Sequence, residues 1–407
     1  MRVLYTVHRY GEEVVGGAET ACRLFAEKLV ERGHSVDVLT SCAVSYVDWA
    51  NHYAPGPQVI NGVQVHRVPV SQQRDPAVFA KLHGTMMRAP GKSTIADQME
   101  WLDAMGPLLQ GQESHLRRLA ARADVAVFMT YLYPTTAYGV PVLAGDIPVV
   151  IQPTAHDEPP ARVPFFIPVM RSADALLYLT EEEGDVASRV FGVAAPSVVT
   201  GIGLDMDGLR ADGRKFRQKH NLGDDPYLLY VGRVDTFKGV SELMRYFVEY
   251  KGRNPSNLRL VLAGEQVMEL PDVTDIRYVG FLDEGDKADA IDGCIALMQP
   301  SPYESFSIVL CEAWRGSRPA LVQGFSEVLT GQCLRSQGGL PYNGFAEFEG
   351  CVRRILDDPI LATELGANGY EYVRKNYSWD VVMERFEQGL ELGRQHHISK
   401  RRWSTRA

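Results

Sequence analysis

Apolar residues in this chain come in short unbroken runs, separated by stretches with helical spacing. Residues 3–7 form one run and predict a strand. After the loop HRYGEEVVGG, residues 18–32 place Ala21, Cys22, Phe25 and Leu29 on one helical face, and Gly33 supplies the stop. Residues 35–40 form the next strand. Strand, loop, helix, strand is a βαβ unit, which implies a parallel sheet with a right-handed crossover. Further strands are predicted at 124–128, after a basic helix over 114–122, and at 148–151, 175–179 and 198–199. Residues 72–112 have no clear period and read as an insertion with short helices.

Residues 204–226 are polar, contain Gly208, Gly213 and Gly223, and read as the passage between two domains. The pattern then restarts. Strands are predicted at 227–231, 258–263, 276–279, 295–299 and 320–322, with a helix over 240–250 that aligns Leu243, Met244 and Phe247. The expected fold class is α/β, two Rossmann-like doubly wound parallel-sheet domains facing across a cleft. In such sheets ligands sit beyond the carboxyl ends of the strands.

A length of 407 residues fits two domains, each with its own core. The net charge of -9 argues against a nucleic-acid partner, which would call for a basic stripe. The six cysteines are scattered without a CxxC pair, so no metal or redox site is indicated, and a reduced cytoplasmic setting fits. The start, MRVLYTVHRYG, is too short and too polar for a signal peptide, and no run reaches membrane-spanning length. The basic tail KRRWSTRA reads as a frayed end. Residues 115–122 form a solvated face or, at most, a peripheral membrane contact.

Four places carry candidate chemistry. Gly16 and Gly17 stand where the first helix begins, and two glycines let a backbone approach an anion at a helix N-terminus; an ordinary turn accounts for them equally. In VGRVDTFKG, Arg233 and Lys238 follow a buried strand and precede a helix. A planar fork and a mobile point charge there suit a diphosphate. In QPSPYESFSIVLCEAW, Glu304 sits in a loop and Glu312 in an apolar helical run. A carboxylate taken from water costs several kcal/mol unless it is paired or hydrogen-bonded. A hydroxyl-rich ligand, sugar and ribose, explains both acids; a surface Glu and a salt-bridged Glu would too. The amides of Phe306, Ser307 and Ile308 at the start of that helix would face the same anion. Finally, His156 in TAHD follows a strand on the cleft side of the first domain.

Taken in order, these motifs resemble the family-4 group of retaining glycosyltransferases with the GT-B fold, over residues 1–386. GGAET, GHSVDVLT, TAHD, VVTGIGLD, VGRVDTFKG, LVLAGE, YVGFLD, PSPYESFSIVLCEAW and YSWD carry the resemblance. It implies domains over 1–203 (acceptor side) and 204–378 (donor side), with a last helix, 379–395, returning to the first. It implies a nucleoside-diphosphate sugar as donor and no obligatory cofactor or metal. Position by position, Gly16, Gly17 and Gly264 fall in donor-binding loops, Arg233 and Lys238 match the diphosphate pair, and Glu304 matches the acid at the donor sugar. Glu312 matches the ribose-binding acid, and His156 the histidine beside the reacting sugar. His156, Arg233, Lys238 and Glu304 are the expected catalytic set. Ser307 departs from the glycine common at that position, and GFSEVLTGQCLRSQGGLPY from the usual continuation.

The expected reaction is transfer of a hexose-type sugar to an acceptor hydroxyl with retention, the departing phosphate taking the acceptor's proton on the same face. The acceptor is a glycan, a lipid-linked carrier or a small molecule. A sugar-nucleotide epimerase on the same fold, or a non-catalytic nucleotide-sugar-binding subunit, are the alternative readings. Specificity is expected in 72–112, 131–138, the loop after Gly264, and 278–284.

Overall fold

The computed structural model describes residues 1–14, 16–207 and 210–404. Gly208, counted above in the interdomain passage, and the last three tail residues lie outside the described residues. The chain divides into two compact units, Met1–Gly201 with Val382–Ala407, and Ile202–Val381.

The first unit is built on an eight-stranded sheet. Its strands are β1 (Arg2–Thr6), β2 (Ser35–Ser41), β3 (Gly56–Ile60), β4 (Val63–Val68), β5 (Val125–Met129), β6 (Val149–Gln152), β7 (Ala175–Tyr178) and β8 (Ser197–Val199). The order is β3-β4-β2-β1-β5-β6-β7-β8, parallel throughout except for the β3–β4 hairpin. Every residue of β5, β6 and β7 is buried, which is why these strands read as continuous apolar runs rather than alternating ones. The helix Gly17–Glu31 buries Ala21, Cys22, Phe25 and Leu29 against the sheet side. The insertion forms two helices, Pro76–Met86 and Ile95–Met105, the second closed by a Thr94–Asp97 capping box.

The last helix, Trp379–Ser404, is longer than the 379–395 expected from sequence. Its residues from Val382 onward belong to the first unit. Phe386 stacks on Phe25 with ring centroids 4.7 Å apart. A Cβ on Gly389 would lie 2.1 Å from Leu177 Cδ2, so the helix backbone rests directly on β7. Farther along, His397 Nδ1 is 3.0 Å and Lys400 Nζ 3.1 Å from the buried Asp174 carboxylate. These contacts hold the helix past residue 395, where its polar composition alone gives no reason to continue.

The second unit carries a six-stranded, all-parallel sheet: β9 (Tyr227–Val231), β10 (Arg259–Ala263), β11 (Ile276–Tyr278), β12 (Ala296–Gln299), β13 (Ala320–Gln323) and β14 (Gly339–Tyr342), in the order β11-β10-β9-β12-β13-β14. Leu228, Tyr230, Leu260, Leu262, Met298 and Leu321 share its core with Leu243 and Phe247 of the helix Val240–Arg253. The stretch 204–226 is not a free linker. It contains a helix, Gly213–Lys219, packed so closely on the helix Glu284–Gly293 that a Cβ on Gly213 would lie 2.4 Å from Gly293 Cα. The amides of Asp212 and Gly213 donate to Asp289 and Asp292 of that neighbour. A polar stretch here is ordered by acids that only the fold brings near it.

The seat of the last helix is testable. Gly389→Leu should overpack against Leu177 and lower stability by about 1–3 kcal/mol, read as a lower midpoint in thermal or urea unfolding.

Candidate active site

In the second unit the candidate residues lie on two neighbouring loops and the helix that follows them. β9 ends at Val231, and the chain turns through a short 3-10 segment, Thr236–Lys238, into the helix Val240–Arg253. Asp235 organises this turn. Its carboxylate accepts the Phe237 amide at 2.9 Å and Arg233 Nε at 2.8 Å. Gly239 has φ 76, and a Cβ there would lie 2.2 Å from Pro300 O, so only glycine lets this loop settle against the loop after β12. Across that contact Lys238 Nζ donates to Glu304 Oε1 at 2.8 Å. Arg233 and Lys238 remain about one-third exposed, while the Glu304 side chain is largely covered.

The helix Ile308–Arg315 begins behind Glu304. Its cap, Ser307, holds φ 69 and ψ 86, the left-handed region that disfavours side chains other than those of glycine and a few polar residues. This is the physical reason glycine is common there in the resembling family. Serine is held by a 2.7 Å hydrogen bond from Gln299 Nε2 to its Oγ. Phe306 is buried edge-on against Tyr377, so its ring is taken up by the interior. The first turn of the helix leaves backbone N–H groups without intrahelical acceptors. Gly264 has φ 130, and a Cβ there would lie 2.0 Å from Gly232 O; its glycine is required by the adjoining backbone.

Glu312 lies one turn from the end of that helix and is only 7 % exposed. Its Oε1 accepts Lys287 Nζ at 2.7 Å; its Oε2 is buried without a hydrogen-bond partner. Burial pushes its pKa up and Lys287 opposes this, with the net direction upward. The Lys287 pKa is also raised: burial lowers it, but Glu312 and Glu284 outweigh burial.

Gly16, Gly17 and His156 belong to the first unit. A Cβ on Gly16 would lie 2.2 Å from Glu19 Oε2, whereas Gly17 faces open space. Glu19 anchors a buried knot that the sequence pattern did not disclose. Its Oε1 accepts His8 Nε2 at 2.8 Å and Arg9 Nε at 2.9 Å, and Arg9 Nη2 also donates to it. His8 stacks on Tyr133, with centroids 3.9 Å apart. The usable signal was an acid in the first helical turn after the glycines, with His-Arg at the end of β1. Burial raises the Glu19 pKa, but His8 and Arg9 overcome it and hold it at about 2. Burial lowers the pKa of His8 against the opposing pull of Glu19.

His156 is partly exposed, and its Nδ1 is 3.3 Å from Glu158 Oε1, which also accepts the Tyr131 hydroxyl at 3.0 Å. The loop carrying it is held from below. Thr154 has φ 49, and the fully buried Glu183 accepts the amides of Ala155 at 2.8 Å and Leu179 at 2.6 Å. Burial pushes Glu183 up to about 7 against these amides. Among the described residues no group of His, Cys, Asp and Glu is placed to hold a metal ion, and no helix is long and apolar enough to cross a membrane.

Comparison with known proteins gives this arrangement a class. Residues 16–203 match the glycosyl transferase 4-like domain, and residues 212–372 match the glycosyl transferases group 1 domain. The chain is 24% identical to glycogen synthase of Mycobacterium tuberculosis, over 94% of this chain and 92% of the relative. It is 24% identical to D-inositol 3-phosphate glycosyltransferase 1 of Catenulispora acidiphila, over 91% and 90%. Sucrose-phosphate synthase from Thermosynechococcus elongatus has the same fold, with TM-score 0.71 at 18% identity over 95% of this chain and 97% of that one. Anabaena HepE, solved in complex with UDP and glucose, gives 0.68 at 13% over 96% and 99%. Two parallel-sheet α/β domains matched in this order make the protein a glycosyltransferase of the GT-B fold. Within that class the chain belongs to the family-4 type.

The Glu19 knot yields a pH prediction with a fixed sign. Its pKa is depressed from an ordinary 4.5 to about 2, so its stabilisation is fully present above pH 4.5 and is lost as pH falls through 2. Urea unfolding of wild type and Glu19→Gln should differ by about 3 kcal/mol near neutral pH, with the gap shrinking steadily below pH 4.5. A gap that stays constant down to pH 2 would contradict the pairing.

Proposed function

We propose that the protein transfers a hexose-type sugar from a nucleoside-diphosphate sugar to an acceptor hydroxyl, with retention at the anomeric carbon. The observation that carries this reading is the Lys238–Glu304 contact, which ties the loop bearing Arg233 to the loop leading into the helix Ile308–Arg315. Two cations and a helix N-terminus suit a diphosphate. In the proposed step the bond from the anomeric carbon to the diphosphate oxygen breaks while the acceptor oxygen bonds to that carbon on the same face. The acceptor proton passes to the departing phosphate oxygen. Negative charge grows on the diphosphate, and Arg233, Lys238 and the amides of Phe306, Ser307 and Ile308 stabilise it. Electrostatic stabilisation of this kind usually does more to lower the barrier than any other effect in such chemistry.

Glu304 would accept from hydroxyls of the donor sugar while its pair with Lys238 fixes its rotamer. Glu312 would accept from the ribose. On the acceptor side, Gly16 and Gly17 would let the backbone approach the ligand, and His156, oriented by Glu158, would stand beside the reacting sugar. Gly264 would line the donor loop through its backbone. The acceptor is a glycan, a lipid-linked carrier or a small metabolite. No metal or other cofactor is part of the proposal, and a cytoplasmic setting with at most peripheral membrane contact fits it. UDP-sugars are the first donors to test, because a structure of the same fold holds UDP and glucose.

A thermal-shift screen with UDP-, GDP-, ADP- and dTDP-sugars should give one preferred donor. With that donor, Lys238→Ala and Arg233→Ala should each raise KM and lower kcat, cutting kcat/KM by roughly tenfold or more per charged hydrogen bond lost. Wild-type turnover in both variants would refute the reading. NMR of the product's anomeric centre tests retention, and an inverted linkage would overturn the same-face step.

A further inference from the structure

Glu312 and Lys287 are joined in an uneven way. The carboxylate lies in the interior of the second unit, yet only one of its oxygens is occupied. Oε1 accepts Lys287 Nζ at 2.7 Å, and Oε2 has no partner. Lys287 comes from a different helix, Glu284–Gly293, and its side chain is itself mostly covered. Its ammonium also reaches Glu284 at 2.9 Å, but Glu284 is largely exposed, and a surface pair of that kind contributes little. A buried acceptor left unsatisfied costs about 1–3 kcal/mol. Bracing the two helices uses only the oxygen that meets Lys287, and Oε2 is left as an acceptor without a donor.

Resting on the donor reading above, we propose that Lys287 is a positioning residue that sets the sugar selectivity of the nucleotide site, by holding Glu312 so that Oε2 is the acceptor offered to the vicinal hydroxyls of a ribose. A carboxylate oxygen carries two lone pairs and can serve both hydroxyls of a cis-diol. Lys287 contributes in two ways. It fixes the carboxylate plane through one short charged hydrogen bond, and it supplies the charge that opposes the upward pull of burial on Glu312. Without it, the carboxyl is free to rotate and to take up a proton. A nucleotide lacking the 2′-hydroxyl forfeits part of this interaction, whatever its base.

The experiment is calorimetry on the full chain with a matched pair, the ribonucleoside diphosphate of the preferred base and its 2′-deoxy counterpart. Wild type should favour the ribo form by about tenfold, the scale of one hydrogen bond to a charged group. Lys287→Met should weaken the ribo form by about tenfold and leave the 2′-deoxy form within about twofold, so the preference collapses. Lys287→Arg keeps the charge and guards against a Met variant that does not fold. Its guanidinium fork spans both carboxylate oxygens, so it should also lower the ribo preference. A folded Met or Arg variant that keeps the wild-type ribo-to-deoxy ratio overturns the inference, and so does a wild type that binds both forms equally. The donor reading survives either result, because diphosphate binding remains. If wild type binds no nucleoside diphosphate at all, the donor reading itself falls.

Discussion

A carboxylate removed from water must find compensating charge or hydrogen bonds, and each unit of this protein meets that demand among its candidate residues. Glu19 is tied to Arg9 and His8, Glu304 to Lys238, Glu312 to Lys287, and Glu183 to the amides of two loops. Apart from the Leu179–Glu183 contact, each link joins segments that are separate in sequence. The acids therefore do more than await a ligand. They fix which loops lie together, and the loops in turn fix where cations and free amides stand. Breaking one link leaves an uncompensated charge in the interior, which is why such pairs are costly to disrupt even where their net stabilisation is small.

Backbone constraint supports the same arrangement. Gly239 and Gly264 both take positive φ, and both sit where another backbone comes closer than any side chain allows. They bring the strand-end loops of β9, β10 and β12 into direct contact. Ser307 adopts a similar conformation at some conformational cost, offset by the hydrogen bond from Gln299. The cations of the second unit stand on this framework, at the strand ends where parallel sheets leave their ligands.

Much of this was legible in the sequence. The strand 227–231 is bounded by Pro226 and Gly232, and its unbroken apolar run matches a strand buried nearly throughout. Glu304 and Glu312 stood out because acids are rare in apolar surroundings. Their partners were harder to see. Lys287 lies on another helix, twenty-five residues from Glu312, and nothing in its own neighbourhood marks it. The Glu19 knot was hidden for the same reason. The β3–β4 hairpin was within reach, since Asn61 and Gly62, both at positive φ, are the common two-residue hairpin turn. Its first strand alternates half-buried and exposed residues, a weak apolar signal. The helix within residues 204–226 was not legible, because its order comes from Asp289 and Asp292, far along the chain.

The split membership of the last helix has a consequence for how the protein is made. The first unit is assembled from two separate stretches, residues 1–201 and the residues from Val382 on, with the whole second unit between them. Its sheet leaves the ribosome first, but the surface around Phe25, Leu177 and Asp174 stays uncovered until the residues from Val382 on have been made. The second unit, an uninterrupted stretch, is fully synthesised before that cover arrives. Domains that fold during synthesis usually do so from the N-terminus onward. Here the later-encoded unit has its complete sequence first, and the earlier one waits for the helix from Val382 on to cover Phe25 and Leu177.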